Sequence, residues 1–143
     1  MVIKMVDGGV VNAAVGQSYL IGEAVSKAGS LMKLADTGKM MLCGAGEEPD
    51  GYLMTDTKNR VTEVAEANVY RGVGGLVNGH KISVPVLATN AEIAIGDALE
   101  TTAGGTVDKK SGAGWVVGKA LEPVEATAGG FVTILVYKYQ AAS

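Results

Sequence analysis

The sequence has one cysteine, one histidine and three prolines. Cys43 alone closes no intramolecular disulfide. With the one histidine, His80, far from it along the chain, no zinc-ligand spacing exists. A Ser-His-acid triad would need His80, which lies in the hairpin-tip sequence Asn78-Gly79-His80-Lys81, and there is no Gly-x-Ser-x-Gly elbow. These gaps leave no catalytic, cofactor-binding or metal-ligating residue to nominate, so the expectation is a chain that is not an enzyme. Charged residues are 19%, below the roughly 25% typical of soluble domains. Lys109-Lys110 is the one adjacent basic pair and the formal net charge is −3. Phosphate binding by counterion release needs clustered cations, so a direct nucleic-acid partner is not expected. No apolar run approaches the ~20 residues of a membrane helix, so no membrane role is expected. The segment Met1–Gly9 lacks a signal peptide's apolar core, giving an expectation of cytoplasmic synthesis.

Apolar residues, in contrast, make up 48% of the 143 residues, and glycine occurs 21 times. That length suits one domain, and a chain of about this size buries roughly 68–70% of its unfolded surface. The glycines follow no three-residue period, which excludes collagen. They punctuate short apolar runs, the grammar of strands and turns. Candidate strands are Ser18–Ile21, Leu31–Leu34, Lys39–Cys43, Gly51–Thr55, Val69–Val73, Lys81–Leu87, Gly114–Ala120 and Gly130–Tyr139. Asp36-Thr37-Gly38-Lys39 reads as a hairpin turn, and Asn78-Gly79 is the pair most favoured in tight hairpins. In the last strand Val132, Ile134 and Val136 share one face. Phe131, Thr133, Leu135 and Tyr137 share the other, so it reads as packed on two sides. Val61, Val64, Ala65 and Val69 allow one short helix.

An internal repeat organises much of this. Ile21-Gly22-Glu23-Ala24-Val25 matches Ile95-Gly96-Asp97-Ala98-Leu99 at an offset of 74. Gly38, Gly44 and Glu48-Pro49 match Gly112, Gly118 and Glu122-Pro123, and Val10 and Ala14 match Val84 and Ala88. Nine identities fall in 45 gapless positions. In the repeated unit, Gly-acid makes a sharp turn, Ala-Val or Ala-Leu starts a strand, and Glu-Pro ends pairing. The expected fold is all-β: a small β-barrel, β-tulip-like fold or sandwich with an internal duplication and at most one short helix. Residues 1–12 read as an N-terminal arm, and 13–143 as a single β domain with repeat-like halves at about 10–55 and 84–137.

Several local clusters invite a chemical reading. Glu47-Glu48-Pro49-Asp50 lacks the alternating acids and closing Glu of a calcium loop, and reads as a solvated turn. Gly72-Val73-Gly74-Gly75 lacks the Lys-Ser/Thr of a phosphate loop. Leu31-Met32-Lys33-Leu34 is similar to the lysine site of biotin and lipoyl carriers. Here, however, Lys33 falls within a strand and its repeat partner is Val107. Cys43, in Met40-Met41-Leu42-Cys43, reads as a small buried hydrophobe. Trp115 is either a core anchor or an interface hot spot. Residues 1–12, with Val2, Ile3, Met5, Val10 and Val11, read equally as an arm that reaches a neighbour or as a frayed terminus. These five and Trp115 are the candidate interface residues.

The C-terminal half resembles capsid decoration (cement) proteins of tailed phages. The resemblance rests on Ile93-Ala94-Ile95-Gly96-Asp97-Ala98-Leu99 and on Gly104-Gly105-Thr106-Val107. It continues through Gly114-Trp115-Val116-Val117-Gly118-Lys119-Ala120-Leu121-Glu122-Pro123 and Gly129-Gly130-Phe131-Val132-Thr133-Ile134-Leu135-Val136. It covers residues 84–137 well and 10–55 more weakly through the repeat; residues 58–80 have no counterpart. It implies a structural virion protein, without cofactor, on the capsid's outer surface. Such a protein is a homo-oligomer, with a trimer favoured, that bridges neighbouring copies of the major capsid protein. The alternative is a cellular β-barrel module for a small ligand or carbohydrate, which predicts a concave pocket with convergent polar groups.

Overall fold

The computed structural model describes residues 16–142. Ten strands follow one another among them: β1 Gln17–Ile21, β2 Leu31–Leu34, β3 Met40–Leu42, β4 Gly51–Leu53, β5 Val69–Gly75, β6 Lys81–Pro85, β7 Ala98–Thr102, β8 Thr106–Lys109, β9 Gly114–Ala120 and β10 Phe131–Ala141. The helical content of these residues is one 3-10 turn, Ala103–Gly105. The chain is all-β, as its composition and punctuation lead one to expect. The N-terminal arm and its candidate interface residues Val2, Ile3, Met5, Val10 and Val11 lie outside the described residues.

The first five strands close into a barrel in the order β1-β3-β2-β4-β5, sealed by antiparallel pairing of β1 with β5. The last five form a sheet in the order β6-β10-β9-β7-β8. Its outer strands meet just beyond β6, where Val86 bridges Val107 and the Leu87 N–H donates to the Val107 carbonyl at 2.9 Å. Few sheet edges are therefore left open, the usual safeguard of an all-β chain against unwanted pairing.

The two sheets share a wall. Inside the barrel, Ile21, Val25, Met32, Met40, Leu53 and Val73 form a small apolar cluster. The larger cluster lies under the second sheet and includes Val84, Leu99, Val107, Val117, Val132, Ile134 and Val136. Leu31 and Cys43 of the barrel belong to that second cluster. Successive strand residues point to opposite faces, so Leu31 and Met32, both 0% exposed, fill different cores from one strand. Polar clasps hold β2 in place. Asp50 Oδ2 accepts the Leu34 N–H at 2.8 Å, and the Asp50 N–H donates to the Met32 carbonyl at 2.8 Å. The Leu53 N–H donates to the Ser30 carbonyl at 2.8 Å.

Three local expectations are corrected. The helix over Val61–Val69 does not form: Glu63 and Asn68 have φ of 59° and 60°, and the segment folds back on itself with Lys58 bridging Ala65. Asn78-Gly79 does turn, with the His80 N–H donating to the Val77 carbonyl at 3.0 Å, but it makes no hairpin. Its flanking strands β5 and β6 join different sheets, so the turn is a crossover. Finally, β10 is packed on one face only. Val132, Ile134 and Val136 are buried, while Phe131 and Tyr137 face outward, exposed.

The offset of 74 pairs positions whose surroundings differ. Ile21 closes β1 in the barrel core, whereas Ile95 lies in an exposed turn. The Gly-acid turn is seen at Gly96-Asp97: Gly96 has φ of 91° and Asp97 Oδ2 accepts the Ala94 N–H at 2.8 Å. At Gly22-Glu23 the carboxylate instead reaches across to accept the Leu42 N–H at 2.9 Å.

Candidate interaction surface

The core is aliphatic. None of the five tyrosines, nor Trp115 or Phe131, is buried. Aromatic side chains carry the largest apolar payload of any residue, and in most cores they are placed inside. Here Tyr70, Phe131, Tyr137 and Tyr139 are exposed, while Tyr19 and Tyr52 pack half-buried against the edges of the two cores. Tyr137, Tyr139 and Phe131 all stand on the long strand β10, and Tyr137 is 56% exposed.

Two bulges shape the outer face of the second sheet. Along β10 and β9 the register shifts between Val136 and Tyr139; along β7 and β9 it shifts between Leu99 and Glu100. Both shifts fall at the level of Val117, where the sheet bends away from regular pleating. A hollow of about 400 Å³ opens there, rimmed by Tyr137, Tyr139 and Lys119 and floored by Val116, Gly118 and Gly96. The Tyr137 and Tyr139 rings meet edge to face, with centroids 6.0 Å apart. Gly118 is required at this point. A Cβ there would lie 2.1 Å from the Leu135 carbonyl oxygen on β10.

Two cations stand in the row beside the hollow. Leu135 pairs with Lys81 on one side and Lys119 on the other, so two lysines flank an apolar residue across the sheet. Neither lysine has an ion-pair partner among the described residues. A second, wider groove of about 630 Å³ runs between the halves, lined by Lys27, Tyr52, Met54, Ser83 and Phe131 among others.

The residues singled out from sequence can now be placed. Trp115 is half-buried, and the Lys138 ammonium lies 5.7 Å from its ring centroid. That ammonium also reaches Glu48 at 2.9 Å and donates to the Pro49 carbonyl at 3.1 Å. Trp115 thus stands at the seam between the halves, apart from the hollow. The acidic run is committed to architecture: Glu47 pairs with Lys33 and accepts the Gly44 N–H at 2.7 Å, Glu48 holds Lys138, and Asp50 clasps β2. Lys33 lies within β2, as expected, with Glu47 as its partner. That contact and the Gly44 N–H hold the Glu47 carboxyl below the usual range, and the same contact raises Lys33. Cys43 is fully buried, and burial, aided by the Glu47 charge, pushes its thiol up to about 12. His80 is exposed beside β10, where its carbonyl accepts the Val136 N–H at 2.8 Å. Among the described residues no three His, Cys, Asp or Glu side chains are placed so as to hold a metal ion, and no helix is long and apolar enough to cross a membrane.

Sequence reasoning did not single out Tyr137, Tyr139 or Lys119 as interface residues. The available signal was Tyr137-Lys138-Tyr139, with two aromatics of one parity at the end of an apolar strand. Alternation shows that they share a face but leaves open whether anything covers it. No family model matches the chain, and no curated protein matches it.

Proposed function

We propose that this chain is a capsid decoration protein of a tailed virus, a structural component of the virion without catalytic activity. It binds the outer surface of the assembled capsid and bridges neighbouring copies of the major capsid protein, acting as a homo-oligomer, with a trimer favoured. The single observation that supports an assembly role is that four of the seven aromatic side chains, Tyr70, Phe131, Tyr137 and Tyr139, stand exposed. Tyr, Trp and Phe are enriched at protein interfaces, where they supply contact area at low entropic cost. The resemblance of residues 84–137 to cement proteins supplies the capsid. Stabilisation follows by linkage: a protein that binds only the assembled shell shifts the equilibrium toward that shell, and many copies act together through avidity.

The test is to mix purified protein with expanded, undecorated capsids and sediment them. Saturable co-sedimentation, with a rise in the capsid's thermal or osmotic resistance, is expected. Absence of saturable binding defeats the reading. Deleting residues 1–12 weakens binding if the arm reaches a neighbour, and unchanged affinity removes the arm.

The second reading is a β-barrel ligand- or carbohydrate-binding module. The hollow beside Tyr137 and Tyr139 favours it, because its volume falls in the range of small-ligand sites. Saturable binding of a sugar or small ligand, abolished by Tyr137→Ala, is the result that selects this module over the decoration protein.

A further inference from the structure

One feature complementary to the hollow is carried by the chain itself. Between β4 and β5, residues 56–68 form a loop that presents Val61 at 90% exposure and Val64 at 60%. Apolar residues so exposed commonly sit on loose loops, yet this one is fastened throughout. Asn59 Oδ1 accepts the N–H groups of Val61 at 2.8 Å and Thr62 at 3.2 Å. The Asn59 N–H donates to the Val64 carbonyl at 2.9 Å, and the Glu63 N–H to the Asn59 carbonyl at 2.7 Å. Arg71 ties down the base, donating to the carbonyls of Asp56 at 2.9 Å and Lys58 at 3.2 Å. A loop held in this way has little ordering entropy left to lose on binding.

The charges on the loop complement those around the hollow. Arg60 is neutralised by Asp56 at 3.4 Å. Glu63, between the two exposed valines, has no ion-pair partner among the described residues. Lys58 and Glu66 offset one another on the same loop, so it carries one net negative charge, at Glu63, between two exposed valines. The hollow is its converse: an apolar floor between two tyrosines, with unpaired Lys119 on its rim and Lys81 two strands away in the same row.

We propose that the 56–68 loop of one copy seats in the Tyr137–Tyr139 hollow of a second copy. Val61 and Val64 fill the hollow, and Glu63 pairs with Lys119. Knob and hollow are different patches, so the contact is heterologous. It propagates head to tail and closes into a ring where the rotation per step permits. The proposal does not rest on the capsid reading: a chain that self-associates yet ignores capsids sinks that reading and leaves this one standing.

The experiment is sedimentation velocity of the full chain across a wide concentration range, with circular dichroism as the control for folding. Wild type is expected to form a discrete oligomer. Val61→Asp, which changes a side chain already in solvent, should keep the spectrum and lose the oligomer. Lys119→Glu and Glu63→Lys should each weaken association by about tenfold or more, the equivalent of one charge contact of roughly 1.4 kcal/mol. The double variant with exchanged charges should recover it. A wild type that stays monomeric overturns the proposal. So does a folded Val61→Asp that assembles like wild type, or an exchanged pair that fails to recover association.

Discussion

Replacing Leu31 by alanine tests whether the two sheets form one cooperative unit. Leu31 is 0% exposed and belongs to the larger core, although its strand is part of the barrel. The substitution removes three carbons, worth about 2.4 kcal/mol at roughly 0.8 kcal/mol each. Residual cavity brings Leu→Ala changes at such sites to about 2.7–5 kcal/mol. Unfolding entropy near 2.1 cal/mol/K per residue gives about 0.3 kcal/mol/K for the 143 residues, so the midpoint should fall by about 9–17 °C. Met32→Ala, on the other face of the same strand, should cost a similar amount, about 2–5 kcal/mol, by opening the barrel core instead. The assay is urea and thermal unfolding followed by two probes. Far-ultraviolet dichroism reports both sheets, and the fluorescence of Trp115, on β9 at the seam, reports the second sheet and its contact with the barrel. If β2 is a shared wall, both variants shift one transition and both probes follow it. If Met32→Ala moves the dichroism but leaves the Trp115 transition in place, the halves unfold separately and the shared-wall argument is wrong. A Leu31→Ala cost below about 1 kcal/mol, the level of a surface change, refutes it equally.

Three further outcomes follow from the geometry. Gly118→Ala drives a methyl into the Leu135 carbonyl and should lower the urea midpoint by the equivalent of about 1–3 kcal/mol, the usual cost of overpacking. The Cys43 thiol should resist alkylation at pH 8 in the native protein and react only on unfolding, since burial holds it protonated. The native state keeps that proton while the unfolded chain releases it near the ordinary value of 9.0, so stability should fall as pH rises from about 9 toward about 12. Cys43→Ala should remove that part of the slope. Glu47 behaves in the opposite sense: Lys33 and the Gly44 N–H lower its carboxyl, so its contribution is present above the ordinary carboxylate range and lost on acidification. In Glu47→Gln, acid unfolding curves should lose that component, and an unaltered curve would show the ion pair to be idle.

Strand positions were largely legible because the glycines and acids that end strands act locally. Leu31–Leu34, Gly114–Ala120 and most of β10 and β5 lie where apolar runs meet turn residues. Strand β8 was not legible: Thr106–Lys109 holds one apolar residue, Val107, and is held by pairing with β7. The fate of Asn78-Gly79 shows the same limit. The pair specifies a bend, with Gly79 at φ of 90°, but which strand each flank joins is decided by distant partners. The helical spacing of Val61, Val64 and Ala65 was overridden after a start that Asn59 caps as it would a helix: Glu63 turns left-handed, with φ of 59°, and the Asn59 N–H closes on the Val64 carbonyl. The interaction surface was the least legible part. An apolar residue at the right parity for a face reads identically whether that face is covered, as at Val132, Ile134 and Val136, or bare, as at Phe131 and Tyr137.

The shared strand has a consequence for how the chain finds its alignment. Sliding a strand by one residue normally exposes its apolar side chains, and that penalty fixes the alignment. On β2 a slip by one residue carries either Lys33 into the Met32 site of the barrel core or Ser30 into the Leu31 site of the larger core, so the penalty falls on whichever compartment receives the polar side chain. Hydrogen bonds from the neighbouring segment add to that discrimination. The Asp50 carboxylate on the Leu34 amide, and the Asp50 and Leu53 amides on the Met32 and Ser30 carbonyls, match in a single position. The Asp50 carboxylate is thus a second lock on an alignment that the apolar pattern already favours, and Asp50→Ala should lower the urea midpoint of a single transition while leaving the native circular dichroism unchanged.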